Sequence, residues 1–533
     1  MVLSFASTLY FSRGTTFSGD EMIWVVTSTK LDLTTLLTPH GGHLQLVSRG
    51  VYKVLLELFG LDYLPYRILT AAMVCVTVGL LFKYLLSRVP PAIALAPCIV
   101  LLFFGSDPLH ALQGNGFTVL LAMSTGIAAL LAFEKSSKAG DVVAMAALTL
   151  GIFTYSVALP FVVAIAVAAI SRREARKRIW VALVPALIYG VWLIWAKASG
   201  VGGTGSSAEV SHLLLIPAWC FQAISAVASA LTGISFDFAG GSTNLAVYMG
   251  APLAILATGG IALSLIKKKF STSLLTTAIV GLCLWGMQAL VSHGGSDISA
   301  RLPDDARYMF PGAIVLAMLL ADAVQKVSWT RQSLTLVAVM AAAGLGTNCF
   351  LLTHAGSEFR AQASDYERTA AIDQLITESL NAEDPSAVRR STDADPNFLA
   401  QTPGAILIGM TDLPYGNYVR TKLAPEELSE QERESVDRVL STEIATERIS
   451  SRRSASTCRW VGRREVLPFD QSTTIFSSAN TDLWAGRLAA RGTVLLSSAG
   501  VREPIVVQVN AKQRLANPWY VETGVGRLAV CAK

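Results

Sequence analysis

The sequence predicts an α-helical polytopic membrane protein with a soluble C-terminal α+β domain, and three observations carry that prediction. Hydrophobic residues make up 52% of the 533 and charged residues only 15%, with a mean hydropathy of +0.49, too apolar for a water-covered chain of this length. Apolar runs of about 20 residues recur through residues 1–354, each long enough to cross a hydrocarbon core of about 30 Å. Past Leu352 such runs stop and charge density rises, so residues 355–533 read as a separate soluble domain, β-rich from about residue 456.

Taken in order, residues 1–12 are apolar but too short to span. They lack a basic n-region and a small-residue cleavage site, so they fit a clipped first helix better than a signal peptide. Residues 13–65 form a first outer loop. Spans are then expected over Tyr66–Leu86, Pro91–Phe104, Phe117–Phe133, Val142–Thr154, Val157–Ile170 and Ile179–Trp195. Four more follow over Leu245–Ile266, Leu274–Val291, Tyr308–Val324 and Leu334–Leu352. With the N-terminal stub this makes about eleven helices, the pair around Tyr155 being short for full crossings.

Basic residues set the orientation. Lys83 and Arg88, Lys135 and Lys138, Arg172 to Arg178, Lys267 to Lys269, and Lys326 and Arg331 all fall on one face if the helices alternate. A positively charged face of that kind is expected to be cytoplasmic. The net charge of +5 is therefore membrane anchoring, with no nucleic-acid signature. All 6 histidines (His40, His43, His110, His212, His293 and His354) lie on or beside the opposite face, which points to outward-facing chemistry.

Between the spans, Gly200–Ser207 is a flexible linker. Leu213–Leu231 is apolar but interrupted by Pro217 and Gln222, and counting it as a span would invert the later loops. An interfacial or re-entrant helix fits better. In the C-terminal domain, Ser364–Leu380 and Pro425–Ile444 read as helices, and short β segments follow from Arg459. Of 7 cysteines, five lie in apolar segments as small hydrophobes. Cys458 and Cys531 lie near the two ends of the β module and are expected to form a disulfide in an oxidising exterior, the alternative being two free thiols. No Cys/His cluster suggests structural zinc.

The polar residues able to do chemistry begin with Asp20 and Glu21 in the first outer loop. A carboxylate fixed beside a bilayer is costly, so it suggests function. The bland reading is a solvated pair after a helix. His40 and His43 are three apart and would share a face on a helical turn, able to orient a phosphate or hydroxyl. Asp107, His110 and Gln113 form a second polar cluster. Arg307, followed by Tyr308 at the outer mouth of a helix, suits bidentate phosphate binding, though such pairs also serve as interface anchors.

Several stretches together resemble a known family. Gly42–Leu44, Leu58–Leu61 with Tyr66–Arg67, Phe104–Gln113, Tyr155–Phe161, Pro185–Trp192 and Ala306–Tyr308 are similar to the GT-C superfamily of membrane glycosyltransferases. They are closest to a bacterial multipass group that is largely uncharacterised. The resemblance covers about Asp20 to Val324 and not the C-terminal domain. It implies an inverting glycosyltransferase in the bacterial plasma membrane, using a polyprenyl-phosphate-linked sugar donor. The acceptor would be an envelope glycan, lipid or protein, with the C-terminal domain extracytoplasmic. By resemblance Asp20 is base or metal partner, Glu21 its neighbour, and Arg307 the donor-phosphate ligand with Tyr308 beside it. A divalent ion, magnesium or manganese, would sit at Asp20. Related sequences often carry an acid where Gly42 stands.

Two other classes compete. A transporter or flippase would show inverted repeats and charges within the spans, and neither is evident. A glycan-binding scaffold would use Trp460, Trp484 and Trp519 of the C-terminal domain, residues that in a small β module commonly pack the core.

Overall fold

The computed structural model describes residues 1–28, 32–171, 173–200, 210–234, 245–267, 271–291, 302–325, 327–380, 410, 413–416, 418–419, 423–441, 444–448, 458–467, 472–499, 504–509 and 517–531. Residues 201–207 of the expected linker, Arg172, Lys268, Lys269, His293 and Lys326 lie outside that set. The chain divides into two compact units, Met1–Ala363 and Ser364–Lys533.

The first unit is built from helices. They run α1 Val2–Phe11, α2 Asp20–Thr27, α3 Leu33–Leu37, α4 Leu46–Phe59, α5 Leu64–Leu86, α6 Pro91–Leu101, α7 Pro108–Leu112, α8 Phe117–Glu134 and α9 Lys138–Thr154. They continue as α10 Leu159–Ser171, α11 Trp180–Ala198, α12 Ile216–Thr232, α13 Leu245–Lys267, α14 Thr272–Leu290, α15 Ala306–Ala323 and α16 Arg331–Leu380. Prolines open α5, α6, α7 and α12, where a missing N–H costs nothing. Side chains of Asp107, Ser137 and Asp305 cap α7, α9 and α15.

Among the described residues, 8 helices are long and apolar enough to cross a membrane. The count of about eleven is not reached: α1, α6 and α10 are apolar but shorter than a full crossing, the 17-residue α9 is not among the 8 either, and α12, not expected as a span, is. An 11-residue helix such as α6 rises only about 16 Å. The outward surface of α11 accounts for the membrane reading: Leu187, Val191 and Ile194 are 58%, 68% and 71% exposed. Lipid can cover an apolar stripe that water would penalise by about 25 cal/mol per Å².

Contacts sort the helix ends into two sets. At one end Asp322 of α15 accepts from Arg88 Nε (3.0 Å), Tyr84 (2.8 Å), Ser273 (2.6 Å) and Thr277 (3.0 Å), and Arg88 also meets Glu134. Arg178 pairs with Asp141 at the same turn-to-turn level of α9 and α11. Arg88 therefore does not act as a free surface anchor; its head is only 4% exposed. The opposite ends of α5, α8, α9, α14 and α15 carry the polar residues described below.

Helix α12, expected as an interfacial or re-entrant element, is by length and composition one of the helices able to cross. Ile216 lies against Gly286 and Val227 against Gly312, and the terminal Gly233 (φ +69°) sits on Ala343 and Thr347 of α16.

In the second unit, the expected helix Ser364–Leu380 is the continuation of α16 rather than a separate element, since no breaker interrupts the sequence before it. Helix α17, Glu430–Leu440, is closed by a Ser429–Glu432 capping box. Among the described residues nine strands follow, β1 Ile444–Arg448, β2 Arg459–Trp460, β3 Arg464–Val466, β4 Ser472–Ser477, β5 Thr481–Gly486, β6 Val494–Ala499, β7 Ile505–Val509, β8 Tyr520–Thr523 and β9 Leu528–Cys531. They form two antiparallel sheets, ordered β1-β7-β4-β9-β2 and β3-β8-β5-β6. Inward residues of both, including Ile475, Val507, Leu483 and Val521, share one core with Val436 and Leu440 of α17. Cys458 and Cys531 are disulfide-bonded, their Cα atoms 4.6 Å apart. Trp519 is completely buried in that core and Trp460 is 41% exposed, so Trp519 cannot stack on a ligand.

Candidate functional site

The polar end of the first unit is organised by α2. Gly19 turns the chain with φ +50°, and Asp20 and Glu21 follow at the first helical turn, about 100° apart around the axis. That rotation sends them into different surroundings. Glu21 is fully buried. Its carboxylate accepts from the hydroxyls of Tyr52 and Tyr63 and from the Ser18 N–H at 3.2 Å. The ring of Phe17 packs edge-on to Tyr63 and Tyr66, and Trp24 edge-on to Tyr52. Burial in this aromatic box pushes the Glu21 carboxyl up to about 7, against the opposing hydrogen bonds of Tyr52, Tyr63, Ser18 and Asn115.

Asp20 points the other way, its side chain 60% exposed, with His40 Nε2 3.2 Å from its Oδ1. The hydrogen bond from His40 holds its carboxyl below the ordinary carboxylate range. Packing around it opposes that shift, and the charges of His40, His43 and Arg307 add to it. Asp20 is thus an ionised, water-facing carboxylate within electrostatic reach of Arg307.

His40 and His43 are not on a helical turn. Gly41 and Gly42 between them adopt φ +55° and +82°, which no helix tolerates, and the histidines exchange both backbone hydrogen bonds (3.0 and 2.9 Å) across a two-residue hairpin. His40 reaches Asp20. His43 Nδ1 lies 2.7 Å from Ser156 Oγ, and its ring is 4.5 Å from that of Tyr155.

Asp107 caps α7 and is completely buried. It lies 2.7 Å from His110 Nδ1 and accepts the N–H groups of His110 (3.2 Å) and Phe310 (2.9 Å), binding the α7 loop to the start of α15. Arg307, at the mouth of α15, is half-exposed and paired with Asp305 at 2.7 Å, its guanidinium 5.7 Å from the Tyr308 ring.

A cavity of ≈ 350 Å³ unites several of these groups. Its polar wall comprises His43, His110, Ser156, Gln288, Arg307 and Tyr308, and the remainder is largely apolar. Asp20 and Glu21 do not line it, and neither does Gln113, which is half-buried at the end of α7. Of that polar wall, Ser156 and Gln288 were not singled out by sequence reasoning. Gln288 had a readable signal, as a lone amide near the end of the apolar helix α14.

Among the described residues no three His, Cys, Asp or Glu side chains converge as metal ligands. At Asp20, where the divalent ion was expected, the pair with His40 supplies two donor side chains. The chain matches no family model, no curated protein and no solved structure.

Proposed function

We propose that this chain is an integral-membrane glycosyltransferase of GT-C type, moving a sugar with inversion from a polyprenyl phosphate to an envelope glycan, lipid or protein acceptor. In this reading the site faces outward at the bacterial plasma membrane, and the C-terminal domain is extracytoplasmic. The acceptor hydroxyl attacks the anomeric carbon and gives its proton to Asp20, a carboxylate held ionised by His40. The bond from that carbon to the phosphate oxygen breaks with its electron pair going to the phosphate. Arg307 stabilises the charge gained there. Glu21 acts by position, fixing the helix that presents Asp20.

The observation that carries the reading is the placement of Asp20 and Arg307. They lie within electrostatic reach of each other at one end of an apolar helical bundle, and Arg307 lines a cavity edged by imidazoles. A transporter would favour unpaired charges inside the spans. Here the buried ions Arg88, Asp322, Asp141 and Arg178 are paired at the other helix ends.

The test is to incubate purified protein with a panel of polyprenyl-phosphate sugars and measure consumed donor. Asp20→Asn should abolish consumption while leaving membrane insertion and melting unchanged. Full activity in that variant would refute the assignment.

A further inference from the structure

We propose that Gln288 and His110 form a hydroxyl-recognition subsite that selects the glycosyl group, on the wall of the cavity also lined by Arg307. This rests on the glycosyltransferase reading and deepens it, by assigning which groups hold the sugar rather than the phosphate.

Gln288 is only 6% exposed, and its Oε1 is buried with no hydrogen-bond partner among the described residues. A buried amide without partners is costly. The usual reason for keeping one on a cavity wall is a ligand that completes it. His110 offers a second such group. Its Nδ1 is taken by Asp107, a carboxylate that already accepts two backbone N–H groups and so serves as acceptor for the ring N–H. Its Nε2 has no partner among the described residues.

The chemistry of these two groups restricts what can bind. An amide has both a donor and an acceptor to satisfy, and the imidazole presents its second ring nitrogen. A phosphate only accepts, so it cannot complete an amide carbonyl. Hydroxyls donate and accept, and a sugar ring carries several. The same cavity holds the cation Arg307, which has donors only and suits the phosphate. A phosphate-linked sugar placed with its phosphate toward Arg307 and its ring hydroxyls toward Gln288 and His110 gives each of these three groups a complementary partner. Sites that hydrogen-bond a hydroxyl reject analogues lacking it far more strongly than apolar pockets reject an added group. The pair should accordingly set sugar specificity.

The experiment uses the full chain in lipid nanodiscs and reads direct binding of two probe classes. One is sugarless polyprenyl phosphate; the other is a panel of polyprenyl-phospho-hexoses and pentoses. The wild type should bind at least one sugar-bearing probe about tenfold or more tighter than the sugarless lipid. Gln288→Met, close in volume, should erase that preference and leave sugarless binding unchanged. Without ligand its melting temperature should equal or exceed that of the wild type, because an unsatisfied amide has gone. Arg307→Ala should weaken both probe classes. Preference retained in Gln288→Met overturns the subsite and leaves the transferase reading standing. A wild type that binds neither probe class overturns both.

Discussion

The Tyr63 hydroxyl lies 2.8 and 2.9 Å from the two carboxylate oxygens of Glu21 and accepts the Gly114 N–H at 2.7 Å. One phenol thereby joins the start of α2, the start of α5 and the loop before α8. The exposed carboxylate of Asp20 is held in place by its buried neighbour.

This arrangement makes folding pH-dependent with a definite sign. The Glu21 carboxyl is raised from 4.5 to about 7 by complete burial, so the folded state favours its neutral form. Its contribution is fully present below pH 4.5 and is lost as pH rises through about 7. A shift of that size corresponds to about 3 kcal/mol. Melting temperature should fall across this window in the wild type. The component should vanish in Glu21→Gln, and equal slopes for the two proteins would contradict the assignment.

Gly114 provides a steric check on the same contact. A Cβ there would lie 2.6 Å from Glu21 Oε1 and 3.0 Å from both the Tyr63 hydroxyl and Tyr66 Cβ. Gly114→Ala should destabilise by about 1–3 kcal/mol through overpacking. Gly50→Ala, in α4 with open space around it, should stabilise by about 0.5–1 kcal/mol. Thermal melts of the two variants should move in opposite directions.

The hydrogen bond from His40 is the main cause of the lowered Asp20 carboxyl. His40→Phe removes that hydrogen bond and charge, so the Asp20 pKa rises toward its ordinary value. The acidic limb of the pH profile for donor consumption should move to higher pH, with little change in rate near neutrality. An unmoved limb, with Asp20→Asn inactive, would assign that limb to another group.

How much of this could be read from residues alone depends on what each signal measures. Apolar length reveals α5, α8, α14 and α15 because lipid demands it. Arg307 at the mouth of α15 is legible because Asp305 marks the cap. Asp20 and Glu21 look alike in sequence, and only the helical rotation separates a solvated carboxylate from a buried one. The histidine hairpin was misread because three-residue spacing suggested a helix, while Gly41 and Gly42 required positive φ. Gln288 passed unnoticed because a single amide barely changes the hydropathy of a 19-residue helix. Arg88 looked like a loop anchor, since nothing local in the sequence points to Asp322, 234 positions away.

That last pair carries a prediction of its own. Asp322 is completely buried, and four side chains donate to it: Tyr84, Arg88, Ser273 and Thr277. Removing one member of a buried ion pair leaves the other desolvated and uncompensated, which costs about 3–5 kcal/mol. Asp322→Ala should therefore melt well below the wild type in detergent. Because the network sits at the helix ends away from the cavity, protein that remains folded at low temperature should keep its affinity for polyprenyl phosphate. The double variant Arg88→Met with Asp322→Leu should recover much of the lost stability, since apolar groups of similar volume remove the stranded charge together with its partner. Equal instability of the single and double variants would mean that the individual hydrogen bonds, not charge compensation, hold α5 against α15.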